Sequence, residues 1–162
     1  MKIAIIADIH DNIPYLNSFL SSAEAKTADV LLICGDIGNI DTLKLISASF
    51  NNKIYFVFGN ADTFSEKDIP KNIINLNYSG IIKLDNKSIG LCHEPYNIKD
   101  LLINKPDIIF YGHTHKPWID KKENILLVNP GTLGGVWLSS TYAIWDTTRG
   151  APELFRTEIL NK

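Results

Sequence analysis

Side chains of the types that can bind divalent metal ions follow several short apolar runs of this sequence. They are Asp8, His10, Asp36, Asn60, His93, His113 and His115. Carboxylate and amide oxygens mixed with imidazole nitrogens suit manganese, iron, cobalt, nickel or zinc. All four histidines of the chain belong to this set, and none lies in an amphipathic stretch. The set therefore predicts a metal centre that is assembled from distant parts of the chain.

The spacing of these residues supports convergence at one place. Asp8 and His10 are two positions apart, so on a continuing strand both would point to one face; His113 and His115 share that spacing. In open α/β sheets, residues that follow successive parallel strands meet beyond the carboxyl ends of those strands. Glycine precedes three members of the set and allows tight turns and close approach to a ligand. These glycines are Gly35, Gly59 and Gly112.

The first third of the chain has the pattern of βαβ units. Apolar runs at residues 2–7, 30–34 and 53–58 predict strands, and helical periodicity at residues 14–26 and 43–50 predicts the helices between them. Right-handed crossovers would set the three strands side by side and parallel.

The second half is rich in short strands. Strands are predicted at residues 81–84, 88–92, 108–111, 125–128, 141–145 and 154–159. One amphipathic helix is predicted at residues 98–104, and hairpin turns at Asn86 and at residues 121–124. Together the halves predict an α/β fold in which two sheets pack face to face with helices outside. No repeat or linker divides the chain, so we expect one domain over residues 1–162.

Composition restricts the partners and the location. The net charge of −2 gives no excess of basic residues for binding nucleic acid, so no stable nucleic-acid partner is expected. Bound metal ions would nevertheless add positive charge locally. Apolar runs fall far short of the roughly 20 residues that span a bilayer, so no membrane partner is expected. Cys34 and Cys92 lie beside apolar runs and are interpreted as buried and reduced, which indicates a cytoplasmic protein. The sequence leaves a homo-oligomer open.

The motifs in order resemble a known family. They are D-x-H at residues 8–10, G-D at 35–36, G-N at 59–60, the single His93, G-H-T-H at 112–115 and N-P-G at 129–131. This series resembles the calcineurin-like metallophosphoesterases, in particular their small single-domain phosphodiesterase branch. The resemblance implies a four-layer αββα sandwich and two divalent ions, with manganese as the first choice. It implies that Asp8, His10 and His115 hold one ion. It also implies that Asn60, His93 and His113 hold the other and that Asp36 bridges them, with Asp36, Asn60 and His113 as catalytic residues.

The implied chemistry is attack on phosphorus by a metal-bridging hydroxide, because two ions about 3.5 to 4 Å apart acidify bound water and hold phosphoryl oxygens. Charge favours a small phosphodiester substrate. Two divalent ions balance the charges of Asp8, Asp36, a hydroxide and a phosphodiester, whereas a phosphomonoester dianion leaves an excess negative charge. A phosphomonoesterase remains an alternative.

Two positions depart from the family pattern. Ala61 stands where larger members carry a histidine that is interpreted as the proton donor to the leaving group. Departure of an alkoxide must then rely on water, on the metals or on another acid such as Asp62, and aryl oxides should suffer least. Asp11 replaces a glycine and would add negative charge near the site. Residues 91–94 match the usual stretch around His93 poorly.

Several of these residues also suit structural roles. Asp8 and Asn60 also suit caps or turns, His93 also suits a core histidine, and Asp11 and Asn12 could cap the following helix. Asn12 and Asp62 are expected to support the site by orienting ligands or water. Core positions are expected for the tryptophans, which are Trp118, Trp137 and Trp145. At the level of the whole protein, the competing function is a non-catalytic binding scaffold like the retromer subunit that shares this fold. A sugar or nucleotide phosphatase of unrelated fold would need a phosphate-cradling glycine loop or an acid pair close in sequence, and the sequence shows neither.

Overall fold

Four helices and eleven strands make up the computed structural model, which describes residues 1–159. In chain order they are β1 (Lys2–Ile6), α1 (Ile13–Ser21), α2 (Ala23–Lys26), β2 (Val30–Cys34), α3 (Ile40–Ser49), β3 (Lys53–Val57), β4 (Ile73–Asn75), β5 (Ser79–Leu84), β6 (Lys87–Cys92), α4 (Ile98–Leu102), β7 (Ile108–Phe110), β8 (Trp118–Lys122), β9 (Ile125–Asn129), β10 (Thr141–Asp146) and β11 (Glu153–Arg156). Short 3₁₀ turns lie at Glu66–Asp68 and Pro95–Asn97.

The strands form two mixed sheets. The first has the order β11-β10-β1-β2-β3-β4, in which β1 to β4 are parallel and β10 and β11 close one side in antiparallel pairing. The predicted side-by-side placement of the first three parallel strands is confirmed. The second sheet has the order β5-β6-β7-β9-β8, with β6, β7 and β9 parallel and β5 and β8 antiparallel at its edges.

Three apolar clusters define the layers. Alternate residues of β1 point to opposite faces: Ile3 and Ile5 pack between the sheets, while Ala4 and Ile6 pack under the helices. On that outer face lie Phe19 of α1 and its neighbours from α3. The outer face of the second sheet carries a smaller cluster around α4. Helix, sheet, sheet and helix are thus stacked in four layers, and the predicted two-sheet sandwich flanked by helices is confirmed.

Helix boundaries differ from the prediction where polar side chains cap the backbone. The predicted helix at residues 14–26 is two helices, because Ser22 is extended and its hydroxyl accepts the N–H of Ala25 to begin α2. The predicted helix at residues 43–50 begins earlier, at Ile40, because the Asn39 side chain accepts the N–H of Asp41. The predicted helix at residues 98–104 ends at Leu102. Within the described residues no helix has the length and hydrophobicity needed to cross a bilayer.

Two strands were missing from the prediction. One is β4, which has three residues, and the other is β8, whose exposed segment continues into the stretch expected to be a turn. The hairpin itself is confirmed, with its turn at residues 123–124, and so is the hairpin turn at Asn86 between β5 and β6. The strand expected at residues 154–159 is β11 and ends at Arg156. The last three residues of the expected 1–162 domain lie outside the described residues.

Candidate metal centre

All seven predicted ligand residues lie in loops at the carboxyl ends of parallel strands. Asp8 and His10 follow β1, Asp36 follows β2 and Asn60 follows β3, all in the first sheet. The second sheet supplies His93 after β6, and His113 and His115 after β7. Because the two sheets face each other, these loops share one end of the sandwich. The structure brings all seven side chains together there.

The first group, which consists of Asp8, His10, Asp36 and His115, is close-packed and, apart from the partly exposed His10, buried. His115 Nε2 lies 3.4 Å from Asp8 Oδ1 and 3.2 Å from His10 Nε2. His10 Nε2 lies 3.8 Å from Asp36 Oδ2. One ligand atom from each of the four residues falls within 4.8 Å of every other, which is the geometry of a metal site.

The second group is more open to solvent. Asn60 Oδ1 lies 3.1 Å from His93 Nε2 and 3.0 Å from His113 Nδ1, and both Asn60 and His113 are exposed. Asp36 Oδ2 lies 3.3 Å from His93 Nε2 and also faces His10 of the first group. Asp36 therefore stands between the two groups.

The outer nitrogens of two imidazoles are held by backbone carbonyls. His93 Nδ1 lies 2.8 Å from the Cys34 carbonyl oxygen, and His115 Nδ1 lies 3.3 Å from that of Val136. A carbonyl oxygen only accepts, so each Nδ1 donates and carries the proton. With an ion bound, the Nε2 of each ring would present its lone pair to the centre, as metal-binding histidines do.

Glu94 is a site residue that the sequence reasoning did not single out. Its Oε2 lies 3.5 Å from His113 Nε2, on the side of the ring opposite Asn60. With an ion bound at Nδ1, the proton of the ring would lie on Nε2, where this carboxylate accepts it. The signal was its position directly after His93, where the family pattern was poorly matched.

A positive charge at the centre would stabilise its buried carboxylates. Burial raises the pKa of Asp8 to about 7, and its Oδ2 is buried without a hydrogen-bond partner among the described residues. Burial also lowers the pKa of His10. Burial opposes ionisation of Asp36, but contacts with His93 and the Ala61 N–H outweigh it and lower its pKa. A buried carboxylate oxygen without a donor among the described residues, beside several imidazole nitrogens, fits divalent cations.

The backbone of the site is left-handed at five of the seven positions. The φ angles are 53° at Asp8, 48° at His10, 53° at Asp36, 69° at His113 and 59° at His115. The strand does not continue through Asp8 and His10, because β1 ends at Ile6, yet both side chains face the same group. Turns in an uncommon region of conformational space aim these side chains, and such strain concentrates at functional sites.

The predicted need for glycine beside the ligands is visible at Gly35 and Gly59. Gly35 has φ +82°, and a Cβ there would lie 2.7 Å from His93 Nδ1. A Cβ at Gly59 would overlap the carboxylate and backbone nitrogen of Asp36. Both residues therefore let a neighbouring loop approach a ligand side chain.

Asp62 braces the loops that carry Asp36 and Asn60. Its Oδ1 accepts the N–H groups of Ile37 (2.7 Å) and Gly38 (3.1 Å), and its Oδ2 accepts the Gly59 N–H at 2.7 Å. Burial raises its pKa against these donors. Both oxygens are committed to the backbone, so Asp62 supports the site and is poorly placed to protonate a leaving group.

Asn12 and Asp11 tie loops together as well. Asn12 occupies the N-cap position of α1, yet its side chain makes no capping bond and instead donates to the Gly134 carbonyl oxygen at 2.7 Å. Asp11 accepts the N–H of Asn39 (3.0 Å) and the hydroxyl of Thr42 (2.5 Å) at the start of α3. The charge of Asp11 is thus used at a helix N-terminus.

The expectation that all three tryptophans fill the core is wrong for two of them. Trp145 is buried, but Trp118 is about half exposed and Trp137 is 87% exposed. The Trp137 ring stacks against His115 with ring centroids 5.0 Å apart. The apolar character of tryptophan did not indicate that Trp137 would lie on His115, because this position depends on the loop before β10.

A four-layer sandwich that gathers carboxylates, imidazoles and an amide oxygen at one end of both sheets defines a protein that binds divalent metal ions. Residues 1–150 match the calcineurin-like phosphoesterase superfamily domain. The chain belongs to this family, as its motifs predicted.

Individual relatives match this protein over most of its length. A phosphodiesterase of Methanocaldococcus jannaschii is 27% identical over 160 residues, which cover 92% of this chain and 95% of that protein. The solved structure of an archaeal phosphodiesterase has a TM-score of 0.83 at 24% identity and covers 96% of this chain and 99% of its own. Vps29 of Entamoeba histolytica, solved with Zn²⁺, has a TM-score of 0.70 at 17% identity over 97% and 98% of the two chains. The two solved structures share the fold.

Proposed function

We propose that this protein is a divalent-metal-dependent phosphodiesterase with a two-ion centre. The observation that carries the proposal is the position of Asp36 between two groups of ligands. Its Oδ2 lies 3.8 Å from His10 Nε2 on one side and 3.3 Å from His93 Nε2 on the other. A carboxylate so placed suits a bridge between two ions.

In this proposal Asp8, His10 and His115 hold one ion, and Asn60, His93 and His113 hold the other. Two bound divalent ions supply Lewis acidity toward phosphoryl oxygens and make an attacking water more acidic. The more buried first group would fix one ion firmly. The exposure of Asn60 and His113 in the second group leaves an approach for substrate.

The protein's own groups orient this chemistry. Asp36 Oδ1 accepts the N–H of Ala61 at 2.7 Å, which leaves Oδ2 facing the imidazoles. The carboxylate of Glu94 holds His113 from outside, so that His113 Nδ1 faces Asn60. Catalytic roles are assigned to Asp36, Asn60 and His113. The methyl group of Ala61 supplies no proton to a leaving group, which favours substrates whose leaving oxygen is already acidic.

Several finer assignments belong to the same proposal. Manganese is the preferred ion because the mixed oxygen and nitrogen set and the family both suit it, with iron, nickel, cobalt and zinc as alternatives. A small phosphodiester is the preferred substrate on the charge balance given above. Residues 1–162 act as one metallophosphoesterase domain. The buried free thiols of Cys34 and Cys92 support a cytoplasmic location.

The alternative of a non-catalytic scaffold is less well supported. The likeness to Vps29 concerns the fold. The centre of this chain keeps carboxylates and imidazoles close to one another, and among them is Asp8 Oδ2, which has no hydrogen-bond partner within residues 1–159. An interaction surface alone would not require that arrangement.

Metal removal and return test the proposal. Chelation followed by dialysis should abolish hydrolysis of bis(4-nitrophenyl) phosphate, and added Mn²⁺ should restore it. Asp36→Asn should keep the fold by circular dichroism while losing bound metal and nearly all turnover. Undiminished hydrolysis after verified metal loss would rule out the metal mechanism. Wild-type turnover by Asp36→Asn with two metals bound would rule out the bridge.

A further inference from the structure

An exposed indole ring lies against one member of the metal centre. Trp137 is 87% exposed, and its ring is within 29° of parallel to the His115 imidazole at a centroid distance of 5.0 Å. His115 Nε2 faces Asp8 and His10. One side of the indole therefore covers a ligand residue, and most of the rest is open to solvent beside the centre.

The ring is held there by a well-anchored loop. The Gly134 N–H donates to the Asp8 carbonyl oxygen at 3.0 Å, and the Gly134 carbonyl oxygen accepts Asn12 Nδ2 at 2.7 Å. The Val136 carbonyl oxygen accepts His115 Nδ1 at 3.3 Å. Trp137 is thus placed by the same residues that build the metal centre.

The position is unfavourable for a tryptophan on folding grounds alone. The backbone of Trp137 is left-handed, with φ 62°, a conformation that disfavours a bulky side chain. An 87% exposed ring also gains little from apolar burial. The other exposed tryptophan, Trp118, has the Lys116 ammonium 4.9 Å over its ring, which gives that ring a partner.

We propose that Trp137 is the stacking platform of a substrate subsite for a planar aromatic group on the phosphoester. A fixed, flat and solvent-facing ring is what sequence-tolerant stacking on phenyl rings or nucleobases requires. The proposal rests on the proposed function, because the phosphate of the ligand must lie at the metal centre. It also agrees with Ala61, since aryl oxides leave without a proton donor.

Binding of product-like phosphates to the manganese-loaded protein isolates this contribution from catalysis. Dissociation constants are measured by calorimetry for methyl phosphate, phenyl phosphate and adenosine 5′-monophosphate. Trp137→Ala should weaken one or both aromatic ligands by about tenfold or more, and methyl phosphate by less than twofold. A loss confined to phenyl phosphate assigns the platform to aryl esters. A loss confined to the nucleotide assigns it to nucleobases.

Two matched variants and the metal content complete the test. Trp137→Phe should keep most of the preference for the aromatic ligand, and Trp118→Ala should behave as wild type. The inference is overturned if Trp137→Ala leaves the aromatic preference intact, weakens methyl phosphate equally, or lowers the metal content. The last two results would mean that the ring only supports His115. Failure of the proposed function would show separately, as absent phosphodiester hydrolysis by the wild-type protein.

Discussion

Asp8 combines deep burial, a left-handed backbone and a carboxylate oxygen to which no group in the described part of the chain donates. Burial raises its pKa to about 7 from an ordinary value near 3.8. Its other oxygen accepts the His113 N–H at 3.1 Å and so links the two sheets. A residue that is unfavourable for the metal-free fold fits the role of metal ligand that we propose for it.

The metal-free protein should lose stability through Asp8 as pH rises. Between about pH 4 and 7 the unfolded chain has released this proton while the folded chain retains it, so the free energy of unfolding falls over that window. Asp8→Asn removes the effect and keeps an acceptor for His113. In urea titrations with chelator, the free energy of unfolding of the variant should rise relative to that of the wild type up to pH 8. The rise should be on the order of 4 kcal/mol at most. A difference independent of pH would contradict this origin.

Position 61 should control which leaving groups are accepted. A positioned general acid contributes on the order of 100-fold or more when a poor leaving group departs. Wild-type protein should cleave aryl phosphodiesters far better than alkyl phosphomonoesters, and Ala61→His should raise the alkyl rates selectively. The ratio of alkyl to aryl rates is measured at saturating metal. An unchanged ratio with both metals bound would show that another group governs this step.

At the scale of elements, each ligand loop depends on space left by the next one. Gly59, after β3, lies against the carboxylate and backbone nitrogen of Asp36, after β2. The Asp62 side chain joins the same two loops through the N–H groups of Ile37 and Gly59. The strand order places the loops, and these contacts set the distances between their ligands.

Gly59→Ala should therefore damage the centre without replacing any ligand residue. The added methyl group must push against Asp36, including its backbone, and such overpacking costs about 1 to 3 kcal/mol. We expect lower stability in urea titrations together with weaker metal binding in calorimetry. Gly150→Ala is the matched control, because no atom lies within 4 Å of a Cβ placed there. Equal metal affinity in both variants would refute the packing explanation.

The sequence predicted the elements whose signal is local. All five residues of β2 are buried and apolar, so the run itself predicts a strand. In contrast, β8 carries four exposed residues of five without alternation, and its identity depends on pairing with β9. The ligand types were readable because each follows a strand. The left-handed turns, Glu94 beside His113 and Trp137 on His115 were not readable, since contacts between distant loops create them.

For the whole molecule, the centre lies where the two sheets meet, and each sheet contributes to it. Four of the proposed ligands come from the first sheet and three from the second. The Asp8 carboxylate already receives a bond from the second sheet through His113. Ions bound there would join both halves of the sandwich and bind the native state alone.

Manganese should raise the thermal unfolding midpoint of the wild-type protein. At about 100 times the dissociation constant, one bound ion adds roughly 2.7 kcal/mol, or about 5 to 10 °C for a domain of this size. Calorimetric scans at increasing Mn²⁺ would show the shift growing with concentration. Asp36→Asn should show a much smaller shift. No shift at concentrations that restore activity would mean that the metal does not stabilise the native sandwich.

The exposed strand β8 has a consequence for the behaviour of the protein at high concentration. It borders the second sheet and carries three consecutive charged, solvent-facing residues, Asp120, Lys121 and Lys122. A free strand edge is a template on which another chain can add and begin aggregation, and charge along it, lysine especially, opposes that addition. The edge strand that the sequence identified least clearly is thus one that opposes strand pairing between molecules.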